Sequence, residues 1–385
     1  MNRLLRIAGV VFGCVLPVWN VCDAKAQGGA EAEILAEVQT QLDALACSPV
    51  DFNDQGDVLL CCEETVACRT YALWRRGAAL GPVRLPSRAE LNGSGPERVF
   101  DITTLANDGT LIGKITELEI TSTEDEEVSS VRSKDLVGCL LKDADERYFP
   151  IGEDVRITAS RNGEYVLVAN RDTDASDSPK DRLRILRNLD SFELTDVPSE
   201  IFVNEGAPNN AGIVAGTASA GSVTGLFYAA FAFEWSQERF ALKPPLGRPE
   251  FSDVRFARAN NGLDVVLSYG PDSSGSKVEQ SAVIWRDGTI QKIEYGPPGS
   301  INQAVAINDN GLVLTQYAST TDLDQPIVES GSLFFSRSRG VLSAEEALVS
   351  VVPSGARVDV VALNNRDQVL AYVDERLLIV QLRGW

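Results

Sequence analysis

The stretch FNDQGDVLLCC, residues 52–62, returns far downstream as INDNGLVLTQ, residues 307–316. Five further copies lie at LANDGTLIG (105–113), ASRNGEYVLV (159–168), PNNAGIVAG (208–216), ANNGLDVVL (259–267) and LNNRDQVLAY (363–372). Taking the glycine as marker gives Gly56, Gly109, Gly163, Gly212, Gly262 and Gly311, with Asp367 in that place in the last copy, at intervals of 53, 54, 49, 50, 49 and 56 residues. Self-similarity at one period near 50 marks a repeat architecture of the propeller kind. Asn or Asp heading a tight turn bonds the backbone two residues on, and a glycine at its end accepts a left-handed conformation. Apolar runs on both sides make each copy a β-hairpin.

A looser strand–turn–strand follows each of the first six copies, seen best in YALWRRGAALGPVRL (71–85) and SAVIWRDGTIQKI (281–293). The unit is therefore a four-stranded antiparallel sheet, which cannot bury both faces alone and needs neighbours around a ring. The expected fold is all-β: a seven-bladed propeller over residues 47–385. The last copy has room for three strands, so its blade has three or borrows one from residues 27–46. In that segment Ile34, Leu35, Val38, Leu42 and Leu45 fall at helical spacing, so a short N-terminal helix is expected. The polar linkers between second and third strands should share one face of the ring, where binding residues concentrate.

Residues 1–26 read as a signal peptide. Arg3 and Arg6 precede an apolar run from Ile7 to Val21, and Ala24-Lys25-Ala26 offers a cleavage site. A secreted or periplasmic location follows. A net charge of −20 disfavours nucleic acid and anionic membrane surfaces as partners. There is no histidine, so Ser-His-Asp and Cys-His nucleophiles and the common His-containing metal sites are excluded as well. Acid–base chemistry would fall to carboxylates, lysines or tyrosines.

Five cysteines follow residue 26: Cys47, Cys61, Cys62, Cys68 and Cys139. In an exported chain they read as disulfides with one thiol over. Opposed positions about the first turn pair Cys47 with Cys62, and Cys61 and Cys68 flank a second turn; a bulge at the glycine would instead move Cys47 to Cys61. Cys139 begins an apolar strand and reads as a buried thiol. In RDTDASDSPKD, Asp172, Asp174, Ser176 and Asp177 alternate oxygen donors as a calcium loop does, but Leu183 stands where a closing glutamate belongs. A solvated loop is the plainer reading, and no other cofactor is expected.

Asn-Asp/Asn-x-Gly turns followed by a strand ending in Trp, as at Trp74, Trp235 and Trp285, resemble bacterial exported HAF-type repeat proteins. The resemblance implies a propeller and an exported location, and no catalytic residues. The functional expectation is a monomeric, non-catalytic module that binds a protein or glycan through one loop-lined face. The alternative is a carboxylate-dependent glycan hydrolase or lyase on the same scaffold.

Overall fold

The computed structural model describes residues 31–42, 45–62, 70–85, 97–121, 130–142, 145–151, 155–170, 183–188, 190–193, 201–220, 229–236, 239–243, 252–262, 264–271, 281–286, 289–296, 300–319 and 329–385. The expected signal peptide and the loop carrying Asp172, Asp174 and Asp177 lie outside them.

The strand patterns of the sequence become a run of four-stranded antiparallel sheets. An N-terminal strand β1 (Glu31–Val38) and a small hairpin of β2 (Gln41–Leu42) and β3 (Leu45–Ala46) come first. Blade 1 holds β4 (Ser48–Phe52), β5 (Val58–Cys61), β6 (Tyr71–Trp74) and β7 (Gly81–Pro82). Blade 2 holds β8 (Glu97–Leu105), β9 (Leu111–Thr121), β10 (Ser130–Lys142) and β11 (Asp145–Pro150), and blade 3 holds β12 (Val155–Ala159), β13 (Tyr165–Asn170), β14 (Leu183–Arg187) and β15 (Asp190–Glu193). Blade 4 holds β16 (Ile201–Pro208), β17 (Val214–Ala220), β18 (Ala229–Ser236) and β19 (Arg239–Lys243). Blade 5 holds β20 (Ser252–Ala259), β21 (Val265–Pro271), β22 (Ser281–Arg286) and β23 (Thr289–Ile293). Blade 6 holds β24 (Ile301–Ile307), β25 (Val313–Ser319), β26 (Glu329–Ser336) and β27 (Gly340–Ser343). A short helix α1 (Ala344–Ala347) leads into β28 (Val358–Leu363), β29 (Gln368–Val373) and β30 (Arg376–Arg383).

The expected architecture needs correcting at its closure. Six blades, rather than seven, are built from four consecutive strands. The remaining four-stranded sheet is a composite of both chain ends, in the order β1-β30-β29-β28. Residues 31–38 form a strand, not a helix, and the closing blade is not three-stranded. Ala32 pairs with Leu382 and Val38 with Leu377 along the edge of β30, which would otherwise present unpaired backbone groups. The helical spacing arose from a bulge: the register shifts between Ile34 and Ala36. That extra residue breaks the period-2 alternation, so Leu35, Ala36 and Val38 all reach the neighbouring core while Ile34 stays exposed. Leu42 and Leu45 face each other across the β2–β3 hairpin.

The core lies between blades. Leu59 and Tyr71 of blade 1 pack with Phe100, Ile102 and Ile115 of blade 2. Val38, Leu377 and Ile379 of the closing blade pack with Phe52, Val58 and Trp74 of blade 1. The sheets at these seams bury their faces against neighbours, and burying one leucine-sized side chain there is worth about 2 kcal/mol.

Candidate functional site

The repeated turns form a closed circle. Asn53 Oδ1 accepts from the backbone of Gln55 (3.0 Å) and Asp57 (2.9 Å), which shapes its own turn, while Nδ2 donates to the Ala106 carbonyl of blade 2 at 3.1 Å. Asn209 donates to Asn260 O (2.9 Å), Asn260 to Asn308 O (3.0 Å) and Asn308 to Asn364 O (3.1 Å). Asn364 donates to Asn53 O at 3.0 Å, joining the last turn to the first. Blades 2 and 3 carry Ala106 and Ser160 in place of the head asparagine, and there the crossing bond runs from Asn107 N to Arg161 O at 2.7 Å. The second turn residue adds its own stitch: Asp54 accepts from Asn107 Nδ2 (2.8 Å) and Asn365 N (2.9 Å), and Asp309 accepts from Asn261 N (2.9 Å) and Nδ2 (2.8 Å). The turn end of the ring spends its side chains on holding blades together.

Inside that circle a cavity of about 280 Å³ is lined by Asp51, Asp54, Arg161, Arg258, Asp309 and the turn asparagines, with no Glu, Tyr or Trp among its lining residues. Asp51 accepts from Leu105 N (2.7 Å) and from Arg161 Nη1 (2.5 and 2.6 Å). Burial opposes the charge on Arg161, but the Asp51 carboxylate outweighs it and holds the guanidinium more firmly protonated than usual. Between blades 2 and 3, buried Asp135 accepts from Lys114 Nζ (2.9 Å), Thr116 Oγ1 (2.9 Å) and Val155 N (2.7 Å), tying blade 2 to blade 3. Burial raises the pKa of Asp101, Lys114 pulls it back, and Asp135 adds to the rise. Apart from Asp101, these carboxylates act as cross-blade staples, which leaves no pair of free acid and base among them.

A different site lies at the seam between blade 6 and the closing blade, at the strand ends away from the turns. It is a cavity of about 360 Å³. Gln303 and Gln316 form one wall as a directly opposed pair on β24 and β25. Arg357 and Asp359, at the start of β28, form the other, and Glu345 of α1 contributes from the connection above. The floor is held by Ser332 Oγ, which accepts from Val360 N across the seam at 3.1 Å. Tyr317 faces Gly331 across the strands and lies over it; a Cβ there would sit 2.9 Å from the ring, so only glycine lets the ring lie flat. Tyr317 also packs edge-on against Tyr295 with centroids 4.9 Å apart. Burial, and secondarily the charge of Asp359, raises the pKa of Tyr372, the cross-strand partner of Asp359.

Helix α1 explains the long last interval of the repeat. Ser343 Oγ accepts from Glu346 N at 3.1 Å and Glu346 Oε2 accepts from Ser343 N at 2.9 Å, a capping box written in the sequence as SAEE. Glu346 is consumed by the cap, and Glu345 is left on the cavity.

The Cys47–Cys62 disulfide is present. Cys61 is disulfide-bonded too, and Cys68 lies outside the described residues. Cys139 is a buried free thiol whose pKa burial pushes up to about 12. No group of three or more His, Cys, Asp or Glu residues placed to hold a metal occurs among the described residues, and Asp172, Asp174 and Asp177 are not among them. No described helix is long and apolar enough to cross a membrane.

No family model matches the chain, and no curated protein matches it. Among solved structures it is similar to the β-propeller domain of the trilobed protease from Pyrococcus furiosus, at 11% identity over 88% of this chain and 94% of that one, with a TM-score of 0.48. It is also similar to prolyl oligopeptidase B from Galerina marginata, at 7% identity over 90% of this chain and 47% of that one, with a TM-score of 0.49. A gluconolactonase from Xanthomonas campestris aligns at 11% identity over 94% and 99%, with a TM-score of 0.32. At these scores the likeness carries no argument of its own, and the propeller rests on the sheet order and the closed circle of turns.

Proposed function

We propose that this chain is an exported, non-catalytic propeller that holds a protein or glycan partner on the end opposite the turn circle. The observation that supports this reading is the difference between the two ends. At the turn end, asparagine and aspartate side chains are engaged in cross-blade bonds. Hairpin alternation assigns the second-to-third-strand connections and the blade-to-blade connections to the other end, and in sequence they include polar stretches such as 171–182 and 320–328. Polar loops on a rigid scaffold are where binding residues concentrate. The Cys47–Cys62 disulfide fits an oxidising compartment, in keeping with residues 1–26 as a signal peptide and with the HAF-like turn motif.

The test is capture from the native host by mature protein beginning at residue 27, followed by native mass spectrometry. Replacing 171–182 or 320–328 with Gly-Ser linkers should reduce the added mass. Capture unchanged by both replacements and abolished by introducing lysine at exposed Gln55 and Asn261 would place the partner at the turn end and sink the proposal.

A further inference from the structure

From the lining of the seam cavity we infer that it is a subsite for one uncharged sugar residue of a glycan. The inference rests on the proposed function, since it names one occupant for that end of the ring. Three physical features carry it.

The first is size. About 360 Å³ falls in the range of small-molecule sites and admits a single pyranose ring with its hydration displaced. The second is hydrogen-bonding character. Gln303 and Gln316 stand side by side as a cross-strand pair, and each carboxamide offers donor and acceptor together. Sugar hydroxyls need both, because each one donates and accepts. Ser330 adds a hydroxyl to that wall, and Glu345 of α1 adds a carboxylate acceptor. The opposed carboxamides favour a hydroxylated ligand over a lipid, although Ile301, Ala318 and Val358 also line the cavity. The third is charge. The chain's net charge of −20 disfavours a uronate or sialate in an exposed cavity that already carries the Glu345 carboxylate.

The cavity is also built to persist. Its floor bond from Val360 N to Ser332 Oγ and the packing of Tyr317 over Gly331 are buried and independent of the amide wall. Exposed Gln303 and Gln316 can therefore be truncated without removing core contacts.

The experiment is a glycan array probed with mature protein, followed by isothermal titration with the best neutral oligosaccharide on it. Binding to neutral hexose or N-acetylhexosamine glycans is expected, with uronate-containing ones at background. Gln316→Ala and Gln303→Ala should each weaken the titrated affinity at least tenfold, with unchanged circular dichroism and melting temperature. Glu345→Lys should bring uronate-containing glycans onto the list of binders. A blank array, a preference for anionic glycans, affinity indifferent to both glutamine variants, or a short peptide competing for the same residues would each overturn the inference. If the array is blank while loop replacement still abolishes capture of a protein partner, this inference fails and the proposed function stands. If capture is indifferent to the loops as well, both fail.

Discussion

Asn364 closes the circle, and a single substitution can separate its two jobs. Its Oδ1 accepts from Arg366 N and Gln368 N, both at 3.0 Å, shaping its own turn. Its Nδ2 donates to Asn53 O at 3.0 Å across the closing seam and to Gln368 Oε1 at 2.9 Å. Asn364→Asp keeps the shape and the turn-forming acceptor but aims a second oxygen at the Asn53 carbonyl. Losing a buried donor and leaving its acceptor facing another costs about 2–3 kcal/mol. Asn364→Ala also loses the two turn bonds, at about 1 kcal/mol each, for about 4–5 kcal/mol in all. With unfolding entropy of about 2.1 cal/mol/K per residue over roughly 340 residues, each kcal/mol lowers the melting temperature by about 1.4 °C. Calorimetry should therefore show a drop of about 3–4 °C for the aspartate and about 6–7 °C for the alanine. The aspartate penalty should shrink as pH falls, because a protonated carboxyl can donate to Asn53 O and an ionised one cannot. An Asn364→Asp protein melting within 1 °C of the parent at neutral pH, by this same scale, would refute the reasoning. Ring closure would then rest on the apolar seam of Val38, Phe52, Leu370 and Leu377 and on the Asn365–Asp54 bonds.

Three further outcomes follow from the same structure. Cys47→Ser combined with Cys62→Ser opens a cross-link of sequence separation 15, and chemical denaturation should show a loss of about 3 kcal/mol. Gly212→Ala should cost more than Gly311→Ala: both glycines are left-handed, but a Cβ at 212 would meet the Tyr165 ring at 2.6 Å while one at 311 finds Asp264 Oδ2 no nearer than 3.8 Å. The left-handed share is about 1 kcal/mol in each, so equal melting temperatures would contradict the difference in contact. Burial raises Cys139 from 9.0 to about 12 and Tyr71 from 10.0 to about 12, so the folded state keeps protons that the unfolded state gives up. Stability should hold below about pH 9 and fall as pH rises toward 12, by up to about 1.4 kcal/mol per pH unit per group, and Cys139→Ala should flatten that decline.

The turn circle was legible because its chemistry is local. A head asparagine and a left-handed fourth position leave a signature that survives even where glycine is replaced: Asp367 takes φ 56 in that place. Local reading failed where one residue shifts the frame. In blade 5 the turn starts at Asn260, whose N–H bonds Asp264 O, so Gly262 is its third residue and is not left-handed. The Cys47–Cys62 pairing expected from the sequence is present, and a bulge lies between it and the turn. Phe52 pairs with Val58 about Gln55, and a bulge between Pro49 and Asp51 restores the frame so that Ser48 meets Cys61. The same kind of bulge in β1 disguised a strand as a helix. The seam site was not legible at all. Gln303 and Gln316 become neighbours only through a register shift between Ala304 and Ala306, and their opposite wall lies some 40 residues on in another blade.

One short connection lies beside the cavity wall at this seam. The second-to-third-strand link of the closing blade is only Asp374-Glu375, since Val373 pairs directly with Arg376. Asp374 tucks that link down: its N–H donates to Arg357 O at 2.8 Å and its Oδ1 accepts from Arg357 N at 3.1 Å, beside the cavity wall. Inserting six Gly-Ser residues between Asp374 and Glu375 lengthens the link about fourfold, and two doublings cost only about 1.2 kcal/mol of closure entropy. Such a protein should melt within about 2–3 °C of the parent, allowing for some loss of the Asp374 bonds. If the seam cavity receives a sugar, the added loop should compete for its mouth and weaken the titrated affinity, while a matching insertion at Gly77 on the turn end leaves it unchanged. Equal affinities for both insertions would show that the ligand enters elsewhere.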